Sequence, residues 1–357
     1  MNLRELRIGD LVAPIPVIQG GMGVGISLHK LAGAVAAEGG IGIISTAQIG
    51  FRSPGFDTDP IGTNLRAIKE EVQKARKLAN GGIIGVNIMV ATRKYEEYVK
   101  AAVAAGVDLI ISGAGLPVSL PAIVENAKTK LAPIVSSLKS AQVICKYWKK
   151  KYDREPDLVV IEGPEAGGHL GFTVEELQNR ENLDFDEEIQ KITEYVHECG
   201  QKAGKHIPVA VAGGIYERKD ANRAFTLGAD GVQMATRFVT TCECDAPDAY
   251  KQAYIDAKEE DIILVKSPVG MPGRAIKNSF MEKAAKGQIP HGACHLCVST
   301  CNPQETPYCI TEALVNAAEG RVEDALLFCG TNASRADGIY SVHDIMQEFV
   351  PRSEQSL

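Results

Sequence analysis

His169 follows a glycine pair, Gly167-Gly168, a few residues after the apolar run Leu158–Glu162. An imidazole near neutral pH can accept a proton, donate one or steady an anion. The glycines before it let the chain turn sharply, so the side chain can reach the end of a strand. Two further glycine-rich turns, Gly213-Gly214 and the stretch Gly231–Thr236, end other apolar runs. Glycine lets the backbone come close to an anion and exposes successive N–H groups to it. Gly213, Gly214, Ala235 and Thr236, with the Thr236 hydroxyl as an extra donor, therefore form a candidate phosphate cradle. Asn87 ends the apolar run Ile83–Asn87, and its amide suits either the edge of a heteroaromatic ring or an internal hydrogen bond. Glu162 would be costly to bury ionised. It is expected to meet ligand hydroxyls or to pair with a lysine such as Lys139. His29, His197, His206 and His343 lack such surroundings and read as surface or helix residues.

These residues need a frame that brings distant turns together. Short apolar runs recur near Val17–Gln19, Gly42–Ile44, Ile83–Asn87, Leu109–Ile111, Pro133–Ser136, Leu158–Glu162, Pro208–Ala212 and Gly231–Met234. Between them apolar residues fall at helical spacing, as in Tyr95, Val99 and Val103. Runs rich in Val and Ile suit strands buried on both faces, and alternation with helices implies parallel pairing. Eight such units match the closure of a (β/α)₈ barrel, whose sites lie at the carboxyl ends of its strands, with phosphate commonly bound after the seventh and eighth. An open doubly wound sheet would carry its phosphate turn after the first strand. Here glycine turns follow strands one, six, seven and eight.

Two segments fall outside the repeat. Gly50–Asn64 is a polar Pro/Gly-bearing insertion after the second strand, read either as a lid or as a surface loop. The tail carries Cys294, Cys297, Cys301 and Cys309, followed by helix-like stretches at Glu312–Glu319 and Val322–Phe328. The expected organisation is a barrel over 1–278 and a Cys-rich, helical extension over 279–357 packed on it. The four thiols admit zinc, an iron–sulfur cluster or a cap of free thiols, with His291 and His295 as substitute ligands. No metal is assigned.

The chain has 357 residues, 45% hydrophobic, a formal net charge of −7 and nine cysteines. The negative charge argues against a nucleic-acid groove or an anionic membrane surface. Lys146, Lys149, Lys150, Lys151 and Arg154 read as a solvated helix end. No apolar stretch reaches the roughly 18 residues of a membrane span, and the N-terminus lacks the basic-then-apolar order of a signal peptide. A cytoplasmic location and reduced thiols are expected.

The strand ends resemble one family: QGGM (Gln19–Met22), GVNIM (Gly85–Met89), EGPEAGGHLG (Glu162–Gly171), AGGI (Ala212–Ile215) and GADGVQMATRF (Gly228–Phe238). The set, in order over roughly Val17 to Asn278, is similar to nitronate monooxygenases, once called 2-nitropropane dioxygenases, and to the related FMN-dependent enoyl-ACP reductases. The resemblance implies FMN, with its phosphate on Gly213, Gly214, Ala235 and Thr236. Gly21, Met22, Asn87, Gly167, Gly168, Gln233 and Met234 would line the ring and ribityl chain. It also implies Lys139 beside the flavin, Glu162 near the ribityl hydroxyls and His169 facing the substrate. The expected substrate is a small molecule, a nitronate or an enoyl thioester, with NAD(P)H as donor in the reductase branch; a homodimer stays open. A flavin-free sugar-phosphate barrel and a non-catalytic flavin-binding protein are the competing classes.

Overall fold

The computed structural model describes residues 3–125 and 127–350. Fourteen strands occur among them: β1 (Leu6–Ile8), β2 (Leu11–Ala13), β3 (Val17–Gln19), β4 (Ile41–Ser45), β5 (Ile83–Met89), β6 (Leu109–Gly113), β7 (Lys130–Val135), β8 (Val159–Glu162), β9 (Gly168–His169), β10 (Val209–Ala212), β11 (Gly231–Met234), β12 (Ile262–Lys266), β13 (Pro272–Ile276) and β14 (Leu327–Phe328). Eight of them close a parallel barrel in the order β10-β11-β3-β4-β5-β6-β7-β8. Helices alternate with the strands, so the fold is a (β/α)₈ barrel.

The strands alternate strictly between two cores. Ile41 and Ile43, Leu109 and Ile111, and Val160 point into the barrel, where they pack with Ile18, Ile83 and Ala210. Ile44, Ile110, Val159 and Ile161 point outward to the helices, against Leu31, Val72, Ile144 and Ile192. This period of two decides which strand-end side chains reach the mouth. The antiparallel β1–β2 hairpin supplies Leu6 and Ile8 to the inner core, which identifies it as the plug of the amino-terminal end. Three aspartates reinforce that end. Asp108, Asp157 and Asp230 each precede a barrel strand and accept the backbone N–H of Ile84, Leu131 and Val209 on the neighbouring strand, at 2.8, 2.9 and 2.8 Å. Residues at this face hold the barrel shut.

The fifth barrel strand begins at Lys130 rather than Pro133. Its register starts three residues earlier because Lys130 N–H donates to Asp108 O (2.8 Å), while Pro133, with no N–H to give, still pairs opposite Ser112. The insertion after the second barrel strand is shorter than its composition suggests. Asp59 caps a helix over Pro60–Leu78, with proline in the first turn where its missing N–H costs nothing. Asn64, inside that helix, is buried. Its amide accepts from Gly50 N (2.8 Å) and donates to Tyr98 Oη (2.8 Å) and Gln48 Oε1 (2.5 Å). Phe51 and Phe56 are buried against Val24 and Ala318.

At the carboxyl end of the barrel, β12, β13 and β14 form an antiparallel sheet, and β9, part of the loop after β8, joins its β13 edge. This sheet spans residue 278: β14 belongs to the tail, and its partner β13 precedes it. In the tail, a helix covers Ile310–Ala318, but the stretch read as a second helix is a short 3₁₀ turn at Val322–Asp324 followed by β14. Strand pairing with Ala275 and Ile276 overrides its helical spacing. Among the described residues no helix is long and apolar enough to cross a membrane.

Candidate active site

A cavity of about 450 Å³ opens at the carboxyl ends of the barrel strands, under the antiparallel sheet. Its wall draws on every part of the chain: Gly21 and Met22 after β3, Asn87 on β5, Glu162 on β8, Gly167 to His169, Gln233 on β11, and Ala235 and Thr236. Thus ten of the fourteen residues singled out above meet in one place.

The other four do not line it. Met234 is buried among the outer-core residues, because on β11 Gln233 points inward and its neighbours Val232 and Met234 must point out. Lys139 is exposed in the first turn of the helix Leu138–Tyr152 and makes no ion pair with Glu162 among the described residues. Gly213 and Gly214, with φ of +90° and +75°, lie behind the Gly163–Ala166 turn. A Cβ on Gly214 would fall 2.1 Å from Glu165 Oε2, so the position admits no side chain while that carboxylate stands there.

His169 owes its position to the sheet. It pairs with Gly273 across β9–β13, its Nε2 lies 2.7 Å from Ser267 Oγ, and its ring meets Phe328 edge-on at 5.0 Å. The Ser267 hydroxyl also accepts Val269 N–H (3.3 Å), which leaves its proton free for Nε2. No hydrogen bond to Nδ1 occurs among the described residues, so this nitrogen is available to a ligand. Burial lowers the imidazole to about 4, and the ring is neutral at pH 7. The loop carrying it is propped by Arg274, a buried guanidinium that donates to Ala166 O. Burial alone pushes the Glu162 carboxyl up to about 8; it lies deep in the protein, yet one side is wetted by the cavity. Among the described residues no Lys or Arg side chain lines the cavity.

Several polar groups here lack a partner. Gln233 Oε1 is buried without a hydrogen bond, Glu162 makes none among the described residues, and the Asn87 amide reaches only Ile111 O, at 3.5 Å. Gly21 admits no side chain, since a Cβ would stand 2.5 Å from Asn87 Cβ. Unsatisfied buried polar atoms around an open space signal a polar ligand. The chain itself supplied part of this site where sequence reasoning did not look. Ser267 and Phe328 steady His169, and Gly330 N–H donates to Thr236 Oγ1 (3.0 Å). The Gly/Pro-rich stretch Ser267–Gly273 was the available signal of a hairpin, but nothing local told that it would return over the barrel mouth.

A family model described as nitronate monooxygenase matches residues 7–352. A probable nitronate monooxygenase of Staphylococcus haemolyticus is 28% identical over 297 residues, covering 77% of this chain and 79% of that protein. A (3aS,4S,5R,7aS)-5-hydroxy-7a-methyl-1-oxo-octahydro-1H-indene-4-carboxyl-CoA dehydrogenase of Mycobacterium tuberculosis is 26% identical over 277 residues, covering 78% and 67%. Among solved structures, FabK from Thermotoga maritima superposes with a TM-score of 0.71 at 25% identity, covering 94% of this chain and 92% of that one. A nitroalkane oxidase from Streptomyces ansochromogenes shares the fold, with a TM-score of 0.71 at 19% identity and coverages of 94% and 96%.

Proposed function

Because the chain belongs to the nitronate monooxygenase family and is an oxidoreductase, we propose that its cavity holds FMN and that it oxidises small alkyl nitronates with molecular oxygen. The observation that carries this reading is His169, which presents an unpartnered ring nitrogen to a cavity bordered by unsatisfied polar groups. FMN supplies the redox chemistry when bound. The residues present fit it. Gln233 Oε1 and the Asn87 amide would meet the polar edge of the ring, and the bare Gly21 lets a flat ring lie close to the strand. Glu162, protonated at neutral pH, would give its O–H to a ribityl hydroxyl. Gly167, Gly168, Ala235 and Thr236 would take the phosphate, with Gly213 and Gly214 behind them.

With Ser267 O–H donating to Nε2, the neutral imidazole carries its proton on Nδ1 and can donate a hydrogen bond from it to a nitronate oxygen. An arriving anion also favours the protonated ring, so substrate itself raises the basicity of His169. Proton removal from a neutral nitroalkane is a poor task for an imidazole titrating near 4. The preferred substrate is therefore the preformed nitronate.

A second reading, NAD(P)H-dependent reduction of an enoyl thioester, is favoured by the apolar wall of Val24, Val298, Ile310 and Leu314, which suits an acyl chain. That no Lys or Arg among the described residues lines the cavity wall weighs against a carrier-protein substrate. Anaerobic stopped-flow spectroscopy separates the two: flavin bleaching by propionate 3-nitronate and not by NADH supports the nitronate reading. Rapid bleaching by NADH, with enoyl thioester restoring the colour, replaces it by the reductase.

A further inference from the structure

Cys294, Cys297, Cys301 and Cys309 occupy a short span of the tail, yet the catalytic reading leaves them without a task. Cys294 is exposed and the other three are half-buried. Their sulfurs are neighbours: once ionised, Cys301 feels Cys294 and Cys309, Cys297 feels Cys301 and Cys294, and Cys309 feels Cys297. They are nevertheless not gathered round a point. Among the described residues the compact group of possible metal ligands is His197, His206 and Asp230, with ligand atoms within 4.8 Å of one another, at the amino-terminal end of the barrel. One zinc ion with bonds of about 2.3 Å would draw four sulfurs to about 3.8 Å apart. No three of the four sulfurs lie within 4.8 Å of one another, too far apart for one zinc.

The surroundings suit an anionic, polynuclear guest. Four buried side-chain atoms lack a partner among the described residues. Two of them, Arg93 Nε and His295 Nδ1, belong to this region; a third is Gln233 Oε1 at the flavin site. The Arg93 guanidinium lies within electrostatic reach of Cys301, and its backbone N–H binds Cys297 O at 3.1 Å. Backbone N–H groups already address the sulfurs. Leu296 N–H donates to Cys294 Sγ (3.5 Å), and the N–H groups of Thr311 and Glu312, opening the helix Ile310–Ala318, point at Cys309. Leu296 takes φ +53°, a left-handed conformation that a leucine adopts only when its surroundings impose it. It holds the turn between Cys294 and Cys297. Both ring nitrogens of His291 are engaged, with Gly292 O and Pro303 O, and His295 Nε2 meets Asp57, which leaves His295 Nδ1 as the one open ring nitrogen. Four thiols against one free imidazole nitrogen make the cysteines the ligand set.

We propose that Cys294, Cys297, Cys301 and Cys309 bind a [4Fe–4S] cluster. Fe–S clusters of this kind take four cysteine thiolates, and hydrogen bonds to their sulfurs tune them. Cys297 also lines the flavin cavity, so the cluster stands on the wall of the catalytic chamber. The site itself does not depend on the flavin reading.

The test is anaerobic purification of the full chain, followed by reconstitution with ferrous iron and sulfide. Metal and acid-labile sulfide are then assayed, and EPR is recorded after dithionite reduction, which avoids the flavin absorbance. The expected result is about four iron and four sulfide per chain, with a paramagnetic signal on reduction. Cys301→Ser and Cys309→Ser should each fall below about one iron per chain, while Cys242→Ser, an exposed thiol outside the group, keeps the full complement. Should the serine variants misfold, alkylation of the wild-type protein decides: the four thiols are protected until iron is chelated. One zinc per chain, or four alkylatable or disulfide-linked thiols after reconstitution, overturns the proposal.

Discussion

Glu162 offers a quantitative test of how the cavity is built. Its carboxyl titrates at about 8, against 4.5 when freely solvated, because depth in the protein disfavours the charge and no partner offsets it. The unfolded chain loses this proton above pH 4.5 while the folded chain keeps it, so folding stability falls as pH rises through that window and levels off above pH 8. The slope is about 1.4 kcal/mol per pH unit. At pH 7 the accumulated cost is at most about 3 to 4 kcal/mol, an upper bound because the cavity wets one side of the group. Glu162→Gln keeps the shape and removes the titration. Urea unfolding of wild type and variant at pH 4.5, 5.5, 6.5 and 7.5 should show the variant gaining on the wild type at each step, toward that bound. Parallel pH dependences for the two proteins would refute the reasoning, since Glu162 would then be ionised or fully hydrated in the folded state.

Other consequences follow from single contacts. Asn64→Ala strands the Gly50 N–H and Tyr98 Oη inside the protein and should cost about 2 kcal/mol or more, read as a lower urea midpoint with unchanged activity per folded molecule. Gly21→Ala forces a methyl to within 2.5 Å of Asn87 Cβ at the proposed ring site, and FMN affinity should drop at least tenfold in a fluorescence titration; unchanged affinity would move the ring elsewhere. For His169 the folded imidazole binds its proton less readily than the unfolded one. Stability is therefore lost as pH falls from 6.5 toward 4, and His169→Gln should abolish that loss. By the same token the unliganded enzyme should show no His169 break between pH 6 and 8 in kcat/KM, and a break there that vanishes in His169→Gln would contradict a neutral resting imidazole.

The barrel was legible because both-face burial writes itself as Val/Ile runs, and because glycine at a strand end has few other uses. That His169, Asn87, Glu162 and Gln233 stand at the strand ends and line one cavity was readable for the same reason. What stayed hidden depends on register or on distant chain. Met234 sits one residue from Gln233, and only the pairing of β11 with β3 says which of the two faces the mouth. Lys139 had the right sequence neighbourhood, but a side chain in the first turn of a helix can as easily face water. The β1–β2 plug is too short for a periodicity, and the partners of His169 lie about a hundred residues away, at Ser267, 98 positions on. The four cysteines were conspicuous from spacing; that Cys297 among them lines the cavity required the fold.

FMN is proposed to lie at the carboxyl ends of the barrel strands with His169 facing it. The most direct measurement is a crystal structure of the protein with FMN bound. The expected structure has the ring against Gly21, with Asn87 and Gln233 on its polar edge and the His169 imidazole across the remaining space. A flavin bound outside this cavity, or one whose ring lies out of reach of His169, would contradict it.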